Sequence, residues 1–161
     1  MFMAAVFSLC SLTVAGQDVK RLLAEADHGN VESMLQLGEY YLQNEDDKQA
    51  AHWFAKAADK GNTKAEFELG QMYWDGKGVS KDTEKAVNLW AKAAGKDYGK
   101  ALFALGYYYY FDIKKDPEKA FDLVGRSLRA ENGKIDDEDK DVVMMCLSLI
   151  KLNLELEIIS E

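Results

Sequence analysis

The sequence predicts an all-α solenoid of three helix-turn-helix repeats, opened by an N-terminal half-helix and closed by a C-terminal capping helix. Three observations carry that prediction. Leu-Gly recurs at Leu37-Gly38, Leu69-Gly70 and Leu105-Gly106, so successive copies lie 32 and 36 residues apart. Each of these leucines has a small residue four before it (Ser33, Ala65, Ala101) and a tyrosine four after it (Tyr41, Tyr73, Tyr109). A second segment follows in every copy: "KQAAHWFAKAA", "EKAVNLWAKAA" and "EKAFDLVGRSL" superimpose on Ala50, Ala86 and Ala120. Self-similarity at such periods marks architectures in which each unit buries its apolar face only against its neighbours.

The opening stretch, "MFMAAVFSLCSLTVAG", has no charged side chain and gives way to the charged "QDVKRLL". Residues 1–16 read as a secretory signal peptide, with an apolar helix packed on the first repeat as the alternative. Sixteen residues fall short of the roughly 20 that a membrane-spanning helix needs. The repeat array is assigned to residues 17–134, with a half-helix from about Asp18.

Within the array, Gly29-Asn30 and Gly61-Asn62 precede the first helices of copies one and two; copy three has Asp97-Tyr98 there. Asp46, Asp82 and Asp116 stand before the second helices as expected N-caps, and Pro117 suits a first helical position. Small residues at Ala57, Ala93 and Ser127, two turns beyond the aligned alanines, allow neighbouring helices to approach closely. In the link "DGKGV", Gly76 and Gly78 supply left-handed turns; copy three keeps only Ile113 in place of Val79.

Residues 135–161 fit no fourth copy, because Asp139-Lys140 fall where Leu-Gly belongs. From Asp137 to Ile150 they read as an acid-started amphipathic helix with Val142, Met145, Cys146 and Leu149 on one side. "IKLNLELEI" alternates like a strand, yet Leu149, Leu152, Leu156 and Ile159 also form a helical stripe. Helix is the preferred reading. A flexible or strand-forming tail that pairs with another chain is the alternative.

Small-xxx-Leu-Gly-xx-Tyr, the Gly-x-Gly-Val link and the closing Ala-Ala-x-x-Gly-Asn resemble the Sel-one-like repeat, a relative of the tetratricopeptide repeat. The resemblance covers Ala24 to Leu128 and is fullest in copy two. It implies a right-handed superhelix whose first helices line the concave surface. It also implies a bacterial interaction protein without enzymatic activity, and permits the narrower role of neutralising a toxin.

Composition agrees with a single globular domain: 161 residues, 48% hydrophobic, 30% charged, one proline. A net charge of −8 disfavours nucleic-acid backbones and anionic lipid. The two histidines, His28 and His52, lie in different helices with no ligand at fixed spacing, and Cys146 reads as a small core hydrophobe. "IDDEDKD" lacks the spacing of a calcium loop. No catalytic constellation, metal site or cofactor site emerges.

On a wheel of 100° per residue, Ala101, Leu105 and Tyr108 share the core face, with Tyr109 at its edge. The opposite face reads Glu32, Gln36, Glu39, Gln43 in copy one and Lys64, Glu68, Gln71, Asp75 in copy two. In copy three it reads Lys100, Ala104, Tyr107, Phe111, so two aromatics replace polar residues. With Tyr110, Phe103 and Trp74 on the flank they make an expected partner-binding patch, oriented by Gln71 and Glu68. The C-terminal helix either leaves this patch open or folds over it. The expected function is a non-enzymatic module that binds a protein or peptide on its concave aromatic surface. It is expected to act as a monomer, exported to the periplasm or secreted, with the cytoplasm as the alternative. An oligomerising role for the tail is a further alternative.

Overall fold

The computed structural model describes residues 18–112 and 116–160. The expected signal segment and the Ile113 link lie outside these described residues. Eight helices follow in order: α1 (18–27), α2 (Val31–Gln43), α3 (Asp47–Asp59), α4 (Thr63–Asp75), α5 (Thr83–Ala94), α6 (Gly99–Tyr107), α7 (Pro117–Ser127) and α8 (Asp137–Ser160). A π-helical turn, Tyr108–Asp112, extends α6. Each helix packs mainly on its neighbours in sequence: α2 on α3, α4 on α5, α6 on α7, with α3–α4, α5–α6 and α7–α8 joining the pairs. That nearest-neighbour pattern is the α-solenoid.

The Leu-Gly signature has a steric cause. Ala50, Ala86 and Ala120 are fully buried, and four residues beyond each stands a bulky side chain: Phe54, Trp90 and Val124. A methyl group on Gly38 would come within 2.5 Å of the Phe54 ring, on Gly70 within 2.6 Å of Trp90, and on Gly106 within 2.5 Å of Val124. Each glycine is the hole into which the second helix inserts its knob, and interiors this tightly packed leave no room for a methyl.

The tyrosine four residues after each leucine has a backbone role. The carbonyls of Tyr41, Tyr73 and Tyr109 accept the N–H groups of Asp46, Asp82 and Asp116 at 2.9, 2.9 and 3.0 Å. Those three aspartates are the N-caps expected from the sequence: their carboxylates accept from the N–H groups of Gln49, Lys85 and Lys119. Thus one tyrosine carbonyl per repeat fixes where the second helix starts.

Asn30 and Asn62 cap α2 and α4 in the same way, accepting from Ser33 and Ala65. Copy three has no such side chain, since Tyr98 makes no side-chain cap bond. Its orphan amides are met from further along the chain. The N–H groups of Gly99 and Lys100 donate to the carbonyls of Asn132 and Gly133 at 2.8 and 3.0 Å. Among the described residues this is the one place with strand-like pairing. Gly133 has φ +56° and lies under the Tyr98 ring, so any side chain there collides with the ring. Asp97 holds the left-handed φ that Gly29 and Gly61 hold in the earlier copies, and it pairs with Arg126.

Gly78 ties copy two to copy one. Its φ is +68°, and a Cβ would lie 2.1 Å from the carbonyl oxygen of Asp47, at the start of α3. Val79 beside it packs into the N-terminal core.

The C-terminal stretch is helical from Asp137 to Ser160, so the strand-pairing tail is not what it forms. Its buried side differs from the expected one. Val143, Cys146 and Ile150 face the array, joined by Leu147 and Leu154, whereas Val142, Met145 and Leu149 are exposed. The reason is that α8 packs on α7 and the flank of α6, not across the exposed face that carries Tyr107 and Phe111. Burial pushes the Cys146 thiol up from its ordinary pKa, in keeping with a core role. No described helix is long and apolar enough to cross a membrane.

Candidate partner-binding groove

Helices α4 and α6 and the start of α8 enclose a groove of about 350 Å³. Its apolar lining comes from Phe67, Trp74, Trp90, Phe103, Tyr107 and Val142. The groove exists because α4 and α6 are equivalent first helices with aromatics at matched positions: Phe67 with Phe103, Trp74 with Tyr110. Trp74 is held in place by Trp90 at 5.2 Å and Tyr108 at 6.2 Å between ring centroids.

The seven expected site residues divide into four groups. Tyr107, Trp74, Phe103 and Gln71 line the groove. Phe111 lies at its mouth, stacked on Tyr107 with ring centroids 4.6 Å apart; the two are 45% and 48% exposed. The π turn does not separate them, because four residues still make nearly one turn. Tyr110 belongs to the cap contact: it packs against α8 and its hydroxyl donates to the Leu149 carbonyl at 3.5 Å. Phe103 also touches that cluster. The C-terminal helix therefore takes the flank of the patch and leaves Tyr107 and Phe111 open.

Glu68 stands apart, in an adjoining depression with Lys64, Tyr98, Lys100 and Lys134. Half-burial, not the solvated position expected from the wheel, dominates its chemistry. Loss of water raises its carboxyl pKa above the ordinary glutamate value; Lys64 and Lys100 pull against this and Glu39 adds to it. Neither lysine is free to compensate fully, since Lys64 is paired with Glu39 at 2.5 Å and Lys100 with Asp136 at 2.7 Å. An acid with a raised native pKa binds its proton more tightly when folded, so stability falls as pH rises through the window between the two pKa values. Glu68→Gln is accordingly expected to raise the thermal midpoint at neutral pH. The gain should vanish below the ordinary glutamate range, as a melting series against pH will show.

Several groove residues escaped the sequence reading. Ile135, Asp139 and Val142 come from beyond the repeats, and no periodicity places them opposite α4. Lys100 was visible on the wheel, but its pairing with Asp136 was not. The rim also carries Asp75 and Asp139, both exposed and without an ion-pair partner among the described residues. Among the described residues no cluster of His, Cys, Asp and Glu could hold a metal ion.

A family model described as the Sel1 repeat matches residues 24–62, 63–98 and 99–129. Among solved structures, the chain is similar to a Sel1 repeat protein from Oxalobacter formigenes, at 33% identity with a TM-score of 0.60. That likeness covers 62% of this chain and 43% of the other. It is also similar to a protective antigen, displaying an SLR fold, from uropathogenic Escherichia coli strains. There the identity is 25% and the TM-score 0.66, over 82% of this chain and 32% of the other. The chain thus spans less than half the length of either solved structure. A comparison with curated proteins finds no match.

Proposed function

The chain belongs to the Sel1 repeat family, and from that premise we propose that it is a non-enzymatic interaction module that grips a segment of a partner protein in the groove between α4, α6 and α8. Sel1 repeat proteins are in general protein-interaction modules, which supports the class of function. The observation that carries the finer reading is the stacked pair Tyr107 and Phe111. Both stand about half exposed at the mouth of an aromatic groove, at positions that are polar in the earlier copies. Large exposed aromatics beside an apolar pocket are what interfaces use as anchors.

Charge narrows the partner. Asp75 and Asp139 rim the groove, Lys100 is already engaged by Asp136, and the whole chain carries −8. A segment with an apolar anchor flanked by Lys or Arg complements this surface, and an acidic one is repelled. A toxin-neutralising role is one form of this reading, with a basic toxin as partner. The uncharged opening segment supports an exported protein, periplasmic or secreted.

Selection from a random peptide library displayed on phage tests the reading. The expected consensus is an aromatic or aliphatic anchor with at least one neighbouring Lys or Arg, and its affinity should weaken with salt. An acidic consensus, or binding indifferent to salt, would contradict it.

A further inference from the structure

One aspartate and one asparagine of the chain are each followed directly by glycine, at Asp75-Gly76 and Asn132-Gly133. In such pairs no Cβ keeps the glycine nitrogen away from the preceding side-chain carbonyl, and attack there closes a five-membered imide. The attacking nitrogen must give up its proton, so a hydrogen bond that holds this proton protects the pair. The two sites differ on that point. The N–H of Gly76 donates to the Met72 carbonyl at 2.9 Å, in the cap that ends α4. The N–H of Gly133 donates to no backbone carbonyl among the described residues. Asn132 is exposed and borders two surface depressions, one beside Arg126 and one beside Lys64.

We propose that Asn132 is a site of spontaneous covalent modification, where deamidation through the Gly133 nitrogen releases the clamp on the start of α6. The Gly133 nitrogen loses its proton to solvent and bonds to Asn132 Cγ. The Cγ–Nδ2 bond breaks, and the departing nitrogen takes a proton from solvent and leaves as ammonia. Water then opens the imide. Attack at Cγ gives an ordinary aspartate. Attack at the main-chain carbonyl gives isoaspartate, whose chain runs through Cβ and Cγ. Water is the one co-reactant.

Isoaspartate is the product the clamp cannot absorb. The main chain gains a methylene before Gly133, and the former main-chain carbonyl of residue 132 becomes a free carboxylate. The N–H groups of Gly99 and Lys100 donate to the Asn132 and Gly133 carbonyls at 2.8 and 3.0 Å, so both acceptors must keep their spacing. The joint has no slack. A Cβ on Gly99 would lie 2.7 Å from the Gly133 carbonyl oxygen, and one on Gly133 would lie 2.2 Å from the Tyr98 ring. Tyr98 makes no side-chain cap bond that could take over, so displaced carbonyls leave the first amides of α6 without acceptors. None of this depends on what the groove binds.

Incubation of the full chain at neutral pH, followed by peptide mapping and labelling with isoaspartate methyltransferase, tests the proposal. Asn132 is expected to convert to aspartate and isoaspartate at a rate comparable to that of a free peptide spanning Ala130–Ile135, while Asp75 stays unmodified. The isoaspartate form, separated by ion exchange, should lose amide-exchange protection at Gly99 and Lys100. Asn132→Gln cannot close the five-membered ring and keeps both carbonyls, so it should stay unmodified and protected. Freshly prepared Asn132→Asp, the other product, should also stay protected, which assigns the loss to the added methylene. Asn132 still intact once the free peptide has converted, isomerisation of Asp75 at the same rate, or an isoaspartate form with Gly99 and Lys100 still protected would each overturn the proposal.

Discussion

Phe54→Ala is expected to destabilise the protein by about 3–5 kcal/mol, the range for deleting a fully buried phenylalanine. Phe54 has no exposed surface and its ring fills the space left by Gly38. Against a total of about 5–15 kcal/mol for a domain, the loss is a large fraction of stability and should lower the melting temperature by about 10 °C or more. The steric reading makes a sharper demand. Gly38→Ala alone should destabilise, because its methyl meets the ring at 2.5 Å. In the Phe54→Ala background the same change should stabilise, since the clash is gone and alanine favours helix over glycine by about 1 kcal/mol. A double-mutant cycle by chemical denaturation measures this reversal. If Gly38→Ala costs the same in both backgrounds, the Leu-Gly motif is not a packing hole.

The second large effect is on binding. Tyr107→Ala/Phe111→Ala is expected to weaken a peptide selected by the wild-type chain about 30-fold or more, as for loss of about 2 kcal/mol or more at an interface hot spot. The melting temperature should move little, because both rings are about half exposed. Phe103→Ala should behave differently, losing stability as well, because that ring also packs in the α8 contact. Phe121→Ala, on α7 outside the groove, removes an equally large exposed ring and should leave affinity unchanged. A calorimetric titration of the four proteins with one peptide separates these cases.

The repeat was legible in the sequence because its constraints are local and recur. Leu37-Gly38, Asp46, Tyr41 and their counterparts sit at fixed offsets, and the structure gives each a reason: a packing hole, an N-cap, and a carbonyl that meets the cap. The candidate site was only half legible. Tyr107 and Phe111 announced themselves by breaking the polar pattern of Glu39, Gln43, Gln71 and Asp75. The covering of Phe103 and Tyr110 could not be read, since it depends on how α8 rotates about its own axis. The stripe of Val142, Met145 and Leu149 and that of Val143, Cys146 and Ile150 are both apolar, so periodicity does not choose between them. The capping of α6 by Asn132 and Gly133 was likewise hidden, because backbone carbonyls carry no sequence signature. Its trace was the absence of an asparagine at Tyr98.

The binding effects rest on one premise, that the partner lies between α4, α6 and the start of α8. Amide hydrogen exchange on the chain, free and saturated with the selected peptide, tests that premise most directly. Added protection is expected in Phe67–Asp75, in Phe103–Phe111 and around Asp139–Val142, with α3 and α7 unchanged. Protection confined to α3, α5 and α7, or to α1 and α2, would contradict it.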